Sequence, residues 1–347
     1  MRKSTLAFGA LLTTAALSLS GCSSDSNDDN DPSKDSTASS AEAKKDWPKE
    51  ITISLVPATE GENLAEALKP LTSYLSDNLG IDVHGVVAND YAATVEAIGA
   101  DQAQVAITDA GSLYNAIDQY DADLILRDVR FGATKYASVA YTNNPAKYCK
   151  DEPVMATYKA SDMEFKYCNG IEKAGETASG NGPAATDALK KIEPGTKVAM
   201  QAVTSPAGYQ YPIVALEDEG VDVDKLNQVP VEGNNNAMLA VLKGDAEVGF
   251  GYWDARASII KEKPEAATDM VAFAYTEMIP NGGVAVSNTL PDDLKQKLTE
   301  LMDNYADSSE EAKQVMKDLV GLTDWTAETN EDEIQRYGEI YTRFQSK

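Results

Sequence analysis

The chain has 347 residues, a formal net charge of −26 at pH 7 and a single histidine. This length allows one large domain or two lobes, and the strong negative charge argues against nucleic acid and against electrostatic adhesion to an anionic membrane surface. One histidine and three cysteines leave few routes to metal or nucleophilic chemistry. We therefore expect no metal, no cofactor and no enzymatic activity.

The N-terminal residues 1–21 have the pattern of a secretory signal peptide. Arg2 and Lys3 precede an apolar run at 6–19, and Leu19-Ser20-Gly21-Cys22 follows at the cleavage position. The pattern resembles a bacterial lipoprotein signal, which implies that a lipid on Cys22 holds the protein at the extracytoplasmic face of the cell membrane. An ordinary signal peptide with a chance cysteine is the alternative. Residues 22–46 are rich in Ser and Asp and predict a flexible tether.

The folded part begins with alternating strands and helices. Strands are predicted at 51–57, 83–87 and 104–107, with helices at 62–79 and 90–98 between them. This alternation indicates a parallel sheet covered by helices. A helix at 111–119 and strands at 124–130 and 136–141 complete a first half, which we assign to lobe 1 over residues 47–142.

Residues 143–191 break this pattern. They are rich in Gly, Lys and Ala, and they contain Cys149 and Cys168. Export to an oxidising compartment favours a disulfide between the two cysteines over a pair of buried thiols. Such a bridge closes a loop of about twenty residues and is worth about 3 kcal/mol. We therefore expect a disulfide-closed surface excursion.

The second half repeats the alternation. A strand from Lys197 leads into a turn at Thr204 and Ser205 and a helix that ends before Gly220, with Ser205 as N-cap and Pro206 at the first helical position. Strands at 228–231, 246–250 and 271–275 and a helix at 235–242 follow, which assigns 192–281 to lobe 2. Residues 282–347, with a strand at 283–287 and helices at 292–305, 310–319 and 330–344, should return to lobe 1. The chain crossings between lobes are expected within 141–197 and 275–283.

The loops at the carboxyl ends of the strands are the candidate ligand site, because open α/β sheets bind ligands there. The Ser205 turn suits an oxyanion, and Tyr252 and Trp253 beside Asp254 suit an ammonium group. Structural alternatives stay open, namely helix capping for the Ser205 turn, Asp109 and the asparagines, and buried packing for the aromatic pair. The candidates are Thr59, Tyr91, Asp109, Thr204, Ser205, Ala207, Gly208, Tyr209, Asn234, Asn235, Tyr252, Trp253 and Asp254.

Several pieces in order resemble the substrate-binding lipoproteins of ABC importers for phosphonate, phosphite and phosphate. They are Val56-Pro57, the run 88–97, Gln104-Val-Ala-Ile107, Ser205-Pro-Ala-Gly-Tyr209 and Ile279-Pro-Asn281. The resemblance implies an α/β, two-lobed type 2 periplasmic-binding protein fold with a central ligand cleft and hinge crossovers. It also implies capture of a small molecule for a permease with its ATPase. We expect a monomer.

Three departures from the family pattern concern the pocket. Ala58 stands where the family usually has tyrosine, and the turn from Thr204 to Ala207 has one hydroxyl and one N–H fewer than the family's anion turn. Asn234, Asn235 and Asn236 replace a His-Asp pair. We therefore expect a phosphonate, a phosphate ester or a related zwitterion as ligand, and a zwitterion would place its oxyanion at Ser205 and its amine near Asp109 and Asp254. A sensory or adhesive surface lipoprotein is the alternative function, followed by an exported hydrolase.

Overall fold

The computed structural model describes residues 46–55, 64–88, 91–174 and 182–345. The predicted signal peptide, the tether up to residue 45 and the lipidation site Cys22 lie outside these residues. Two β-sheets organise the described part. The strands of the first sheet are β1 Glu50–Leu55, β2 Asp82–Val87, β3 Val105–Thr108, β4 Asp123–Val129, β12 Gly283–Val286 and β13 Asp324–Thr326, in the spatial order β13-β4-β12-β3-β1-β2.

The second sheet has seven strands and lies between β4 and β12 in the chain. Its strands are β5 Lys135–Thr142, β6 Val154–Tyr158, β7 Met163–Tyr167, β8 Lys197–Met200, β9 Asn227–Pro230, β10 Val248–Tyr252 and β11 Val271–Pro280, in the order β6-β7-β11-β5-β10-β8-β9. The helices are α1 Leu64–Leu79, α2 Tyr91–Gly99, α3 Ala110–Tyr120, α4 Pro145–Tyr148, α5 Tyr211–Asp218, α6 Gly233–Lys243, α7 Ala266–Asp269, α8 Asp292–Asp303, α9 Tyr305–Ser308, α10 Glu310–Val320 and α11 Glu331–Gln345. No helix in these ranges is long and apolar enough to cross a membrane.

The first sheet is built on the predicted strand–helix alternation. β1 pairs in parallel with β2 and with β3, so the connections between these strands must cross over, and α1 and α2 make those crossovers. Ile51, Ile53 and Leu55 of β1 are fully buried and share one core with Leu71 and Leu75 of α1. β12 then joins antiparallel between β3 and β4. We call this sheet with α1–α3 and α8–α10 the first lobe.

The second sheet with α4–α7 forms the second lobe, and its membership corrects two predictions. β5 pairs antiparallel with β10 and β11 at the centre of this sheet, so residues 135–142 belong to the second lobe and not to lobe 1 as predicted. The predicted excursion also contributes β6 and β7, which extend the sheet beyond β11. Periodicity revealed β5 as a strand but could not identify its partners, which are distant in the chain.

Cys149 and Cys168 form the predicted disulfide, and the β6–β7 hairpin lies between them in the chain. Cys168 is buried, and its backbone N–H donates to the carbonyl of Ala272 on β11 at 3.0 Å. The bridge therefore fixes the start of the excursion to a residue that is already anchored on the second sheet.

The chain passes between the lobes twice, at 130–134 and at 281–282, and a buried arginine joins the two crossings. The Arg127 guanidinium donates to the carbonyls of Thr134 at 3.0 Å and Asn281 at 3.3 Å. The Asn281 amide donates to the carbonyls of Asp128 at 3.1 Å and Ala133 at 2.9 Å. The first crossing thus lies earlier than the predicted range 141–197, and the second falls within its predicted range.

Candidate ligand-binding site

A cavity of about 710 Å³ lies between the two sheets and beside the two crossings. Both sheets, both crossings and α11 contribute to its wall. The lining residues are Ile107, Thr108, Asp109, Ala110, Asp128, Arg130, Phe131, Lys135, Tyr136, Tyr158, Ala160, Ser161, Ser205, Pro206, Ala207, Asn234, Tyr252, Trp253, Asp254, Ala257, Pro280, Asn281, Gly282 and Tyr337. The wall thus combines carboxylates, hydroxyls and a large aromatic surface.

Seven of the thirteen predicted ligand residues line this cavity. They are Asp109, Ser205, Ala207, Asn234, Tyr252, Trp253 and Asp254. Thr204, Gly208, Tyr209 and Asn235 do not line it. Thr59 and the side chain of Tyr91 lie outside the part of the chain that the structure describes.

The Ser205 turn has the predicted cap but a different helical start. The Ser205 hydroxyl accepts from the Gly208 N–H at 3.1 Å, and the N–H of Gln210 bonds back to the Ser205 carbonyl at 3.0 Å. The segment Pro206–Gln210 is therefore a π-helical turn, which precedes α5. Because Pro212 has no N–H, the Gly208 carbonyl is left to accept from the Gln201 N–H, at 3.1 Å.

This capping leaves the turn with few free donors. Pro206 has no N–H, Gly208 donates to Ser205, and Tyr209 donates to the Ser205 carbonyl at 3.1 Å. The Ala207 N–H is thus the remaining backbone donor of the first turn, and Ala207 lines the cavity. Of the two candidates Ala207 and Gly208, therefore, only Ala207 keeps a backbone N–H for a ligand, because the helix cap uses that of Gly208.

Asp109 caps α3 and faces the cavity. Its carboxylate accepts from the Ser112 N–H at 2.8 Å, as the helix-capping alternative predicts. Burial raises the pKa of Asp109 above its usual value, although the hydrogen bonds from Ser112 and Gly111 oppose that shift. No ion pair to Asp109 occurs within the described ranges, so an incoming cation would be the first charge to compensate it. Thr108, which precedes it and also lines the cavity, has a buried hydroxyl oxygen without a partner.

Asp128 is a second cavity-lining acid, which no motif in the sequence singles out. It lies near the end of β4, next to the first crossing, and is almost completely buried. Burial raises its pKa to about 6, even though Arg130, Trp325 and Arg127 favour the carboxylate form. The Trp325 indole N–H donates to one carboxylate oxygen at 2.9 Å. The charge of Asp109 contributes to the shift, so the two carboxyls interact.

Asp254 lines the cavity, but Arg256 already occupies its carboxylate. The guanidinium donates to the two carboxylate oxygens at 2.9 and 2.5 Å, and both side chains are fully buried. Tyr167 donates a third hydrogen bond at 2.7 Å. Asp254 therefore already has a counter-ion within the second lobe, which argues against the predicted contact with an ammonium group.

The aromatic pair next to Asp254 has a mixed role. Trp253 is 4 % exposed and its ring packs 5.8 Å from Tyr167 and 5.5 Å from Tyr275, so core packing accounts for most of its surface. Tyr252 is half-buried.

The Asn234 side-chain oxygen accepts from Gln201 at 3.0 Å and from the Tyr252 N–H at 3.3 Å, which orients Asn234 at the cavity wall.

Three lining groups that sequence reasoning missed are Arg130 and Lys135 near the first crossing and Tyr337 of α11. Lys135 pairs with Glu333 of α11 at 2.8 Å, so its charge is already compensated. A corrected position for the first crossing would have placed Arg130 and Lys135 at the cleft. Tyr337 offered no such signal, because it lies in an amphipathic helix near the C-terminus. No cluster of His, Cys, Asp or Glu that could hold a metal ion occurs in the described ranges.

Comparison with known proteins identifies the family. The model of the family described as "ABC transporter, phosphonate, periplasmic substrate-binding protein" matches residues 53–332. The phosphate-import protein PhnD of Mycolicibacterium smegmatis is 26% identical over 215 residues, which are 59% of this chain and 56% of that protein. The alignment thus spans a little over half the length of that curated relative.

Solved structures show the same fold. A binding protein component of an ABC phosphonate transporter from Pseudomonas aeruginosa superposes with a TM-score of 0.52 at 19% identity, covering 86% of this chain and 87% of that one. PhnD1 from Prochlorococcus marinus, solved with methylphosphonate, gives a TM-score of 0.57 at 14% identity, covering 86% of this chain and 99% of that one. The predicted two-lobed α/β fold is confirmed. The chain belongs to the family of periplasmic substrate-binding proteins of phosphonate ABC transporters.

Proposed function

We propose that this protein is the extracytoplasmic solute-binding component of an ABC importer, and that it delivers a small ligand to a permease. The observation that carries this proposal is the cavity of about 710 Å³ between two sheets joined by adjacent crossings. Ligand pockets of proteins commonly have this size and this position between domains. Membership of the family and the printed import role of the M. smegmatis relative support it.

The proposed ligand is a zwitterion with an oxyanion and an ammonium group. The oxyanion would lie at Ser205 and the Ala207 N–H. The ammonium group would lie near Asp109 and Asp128, and Asp128 replaces Asp254 of the initial prediction. Burial raises the pKa of both carboxyls, and although Arg130 and Arg127 already favour the carboxylate form of Asp128, a further cation would offset the remaining cost of burying the two charges. The aromatic lining around them suits the alkyl part of such a ligand.

Isothermal titration tests this proposal with methylphosphonate, aminoethylphosphonate, its trimethylated analogue and a phosphate ester. We expect aminoethylphosphonate to bind most tightly and Asp128→Asn to weaken its binding more than that of methylphosphonate. Asp292→Asn, an exposed acid on α8, is the matched control. Failure of every zwitterion to bind would refute the ligand class. Failure of the whole panel would contradict the role in phosphonate-type import.

The lipid anchor is a further part of the proposal. A lipid on Cys22 would hold the protein at the extracytoplasmic face of the membrane. Mass spectrometry of the mature N-terminus tests it. An acylated Cys22 is expected, and an unmodified N-terminus at another residue would contradict the anchor.

A further inference from the structure

Helix α11 packs along the first lobe through two close ring contacts. A Cβ on Gly338 would overlap the ring of Tyr114 on α3, so the helix backbone lies directly on that ring. Tyr341 in turn lies against Gly111, where a Cβ would meet the Tyr341 ring at 3.0 Å. Small residues on both helices thus allow α11 and α3 to approach closely, and α11 is held on the first lobe along its length.

The same helix also contacts the second lobe. Glu333 pairs with Lys135 of β5 at 2.8 Å, and Arg336 pairs with Glu277 of β11 at 3.2 Å. Arg343 pairs with Glu217 of α5, and the Tyr337 ring lies 6.1 Å from the Tyr211 ring. One helix therefore joins both lobes, beside the crossings at Glu333, which lies 3.5 Å from the Arg127 guanidinium, and away from them at Arg336 and Arg343.

Tyr337 occupies the cavity side of this helix. It is 2 % exposed and lines the cavity, and its hydroxyl makes no hydrogen bond within the part of the chain that the structure describes. Burial raises the pKa of Tyr337 well above its usual value, and the charge of Asp109 adds to that shift. The side chain is therefore a neutral phenol at physiological pH, with one O–H donor available to a ligand.

The Ser205 turn has few free donors for an oxyanion, so a further donor in the cavity would strengthen the binding of such a group. Ala207 provides one backbone N–H, and the capping of Ser205 uses the N–H of Gly208. A phosphonate or phosphate group has three oxygens that accept hydrogen bonds, so one N–H and the Ser205 hydroxyl satisfy it only in part. Tyr337 lies in the same cavity and adds one O–H donor to those of the Ser205 turn and the Arg130 guanidinium.

The position of Tyr337 in the chain adds a second argument. The family match ends at residue 332, and α11 runs over Glu331–Gln345. Tyr337 is thus a cavity-lining residue outside the matched part of the chain, on an element that also ties the lobes together. A residue in such a place can distinguish this chain's ligand preference from that of its family.

We propose that α11 clasps the two lobes across the cavity and that Tyr337 is a specificity-determining ligand contact, whose hydroxyl donates to an oxyanion oxygen. The inference rests on the proposed solute-binding function for the identity of the ligand. The clasp itself does not depend on which ligand is bound, because its contacts join protein side chains only.

The first experiment compares Tyr337→Phe with Tyr341→Phe by isothermal titration of methylphosphonate and aminoethylphosphonate. Tyr341 is the matched control because its ring stacks 5.7 Å from Tyr337 on the same helix, while it does not line the cavity. Loss of one hydrogen bond to a charged group predicts a Kd increase of roughly 10- to 100-fold for Tyr337→Phe with both ligands. The control should stay within about two-fold of wild type. Equal affinities of the two variants would overturn the contact.

The second experiment needs no ligand and tests the clasp. Arg336→Gln and Arg343→Gln are combined, while Glu333 is kept because it also pairs with Arg127, and small-angle scattering and hydrogen exchange are measured on the unliganded protein. We expect a larger radius of gyration and faster exchange of the α11 amides. The matched control combines Lys297→Gln and Lys313→Gln, which remove pairs within α8 and α10 and should change neither.

The outcomes of the two experiments separate the inference from the function on which it rests. If wild type binds neither probe, the proposed function fails while the scattering and exchange data still decide the clasp. If wild type binds and Tyr337→Phe binds equally well, the function stands and the ligand contact falls. Unchanged dimensions and unchanged exchange in the variant that carries Arg336→Gln and Arg343→Gln would overturn the clasp in either case.

Discussion

Replacement of Asp254 by alanine should destabilise the protein without removing a ligand contact. The carboxylate accepts two hydrogen bonds from the Arg256 guanidinium, one from the Arg256 N–H at 3.0 Å and one from the Tyr167 hydroxyl. The guanidinium also lies 4.6 Å from the Phe165 ring and donates to the carbonyl of Met270 at 3.0 Å. Asp254→Ala would therefore leave a fully buried cation that keeps its carbonyl and ring contacts but loses its counter-ion.

The expected loss of unfolding free energy is about 3–5 kcal/mol, the range for a buried pair broken on one side. Replacing both partners, as in Asp254→Leu with Arg256→Met, removes the uncompensated charge and should recover most of that loss. The double variant should thus be more stable than Asp254→Ala. This order of stabilities is the specific signature of a structural pair.

Equilibrium urea unfolding measures the stabilities, with the slope m compared between variants to confirm that the same surface is exposed. Titration of aminoethylphosphonate at low temperature, where each variant is folded, measures binding. We expect Asp254→Ala to bind within about three-fold of wild type, because the carboxylate is already paired with Arg256. A three-fold change in Kd corresponds to less than about 0.7 kcal/mol of binding free energy. A variant with wild-type stability and no detectable binding would refute the reasoning and restore Asp254 as a ligand residue.

Three further perturbations have expected outcomes that follow from single contacts. Replacing Cys149 and Cys168 by serine should cost about 3 kcal/mol of unfolding free energy in the chain-entropy model, measured by urea titration against the oxidised protein. Because burial raises the pKa of Asp128 from 3.8 to about 6, the folded state retains this proton longer than the unfolded chain, and stability falls as pH rises through that window. Relative to Asp128→Asn, wild type should lose roughly 3 kcal/mol between pH 3.5 and 7, and a parallel pH dependence of the two would contradict the assignment. Gly282→Ala would push a methyl group into the carbonyl of Thr108 and should lower the melting temperature by several degrees, whereas a neutral effect would show that the second crossing can shift.

The sequence predicted most elements because their signals are local. Ser205 caps its helix, as the pattern Ser-Pro indicates, and the strand–helix alternation of the first lobe follows from periodicity alone. The partners of β5 could not be predicted this way, because its ladder joins strands more than 100 residues further along the chain. The β6–β7 hairpin was missed although Met163–Tyr167 alternates apolar and polar residues, because each strand has only five residues and lies in a segment rich in Gly, Lys and Ala.

The candidate site could be predicted only where a strand end faces the cavity. Asp109 and Ser205 follow strands and were found, whereas Tyr337 comes from a helix whose position depends on contacts with both lobes. Asp254 also follows a strand, and its misassignment has a simple cause. The sequence Asp-Ala-Arg places Arg256 two residues away, but only the fold determines that the guanidinium turns back onto the carboxylate.

Residues at the crossings belong both to the cavity wall and to the connection between the lobes. Asp128 and Asn281 line the cavity. The amide of Asn281, at the second crossing, donates to the carbonyls of Asp128 and Ala133, one just before and one within the first crossing. Arg127, directly before Asp128, donates to the carbonyl of Thr134 at the first crossing and to that of Asn281 at the second. A ligand group bound at Asp128 would therefore lie next to the hydrogen bonds of Arg127 and Asn281, which connect the two crossings between the lobes. Changes in ligand charge should then alter the geometry of the crossings as well as the affinity, because the same buried groups serve both.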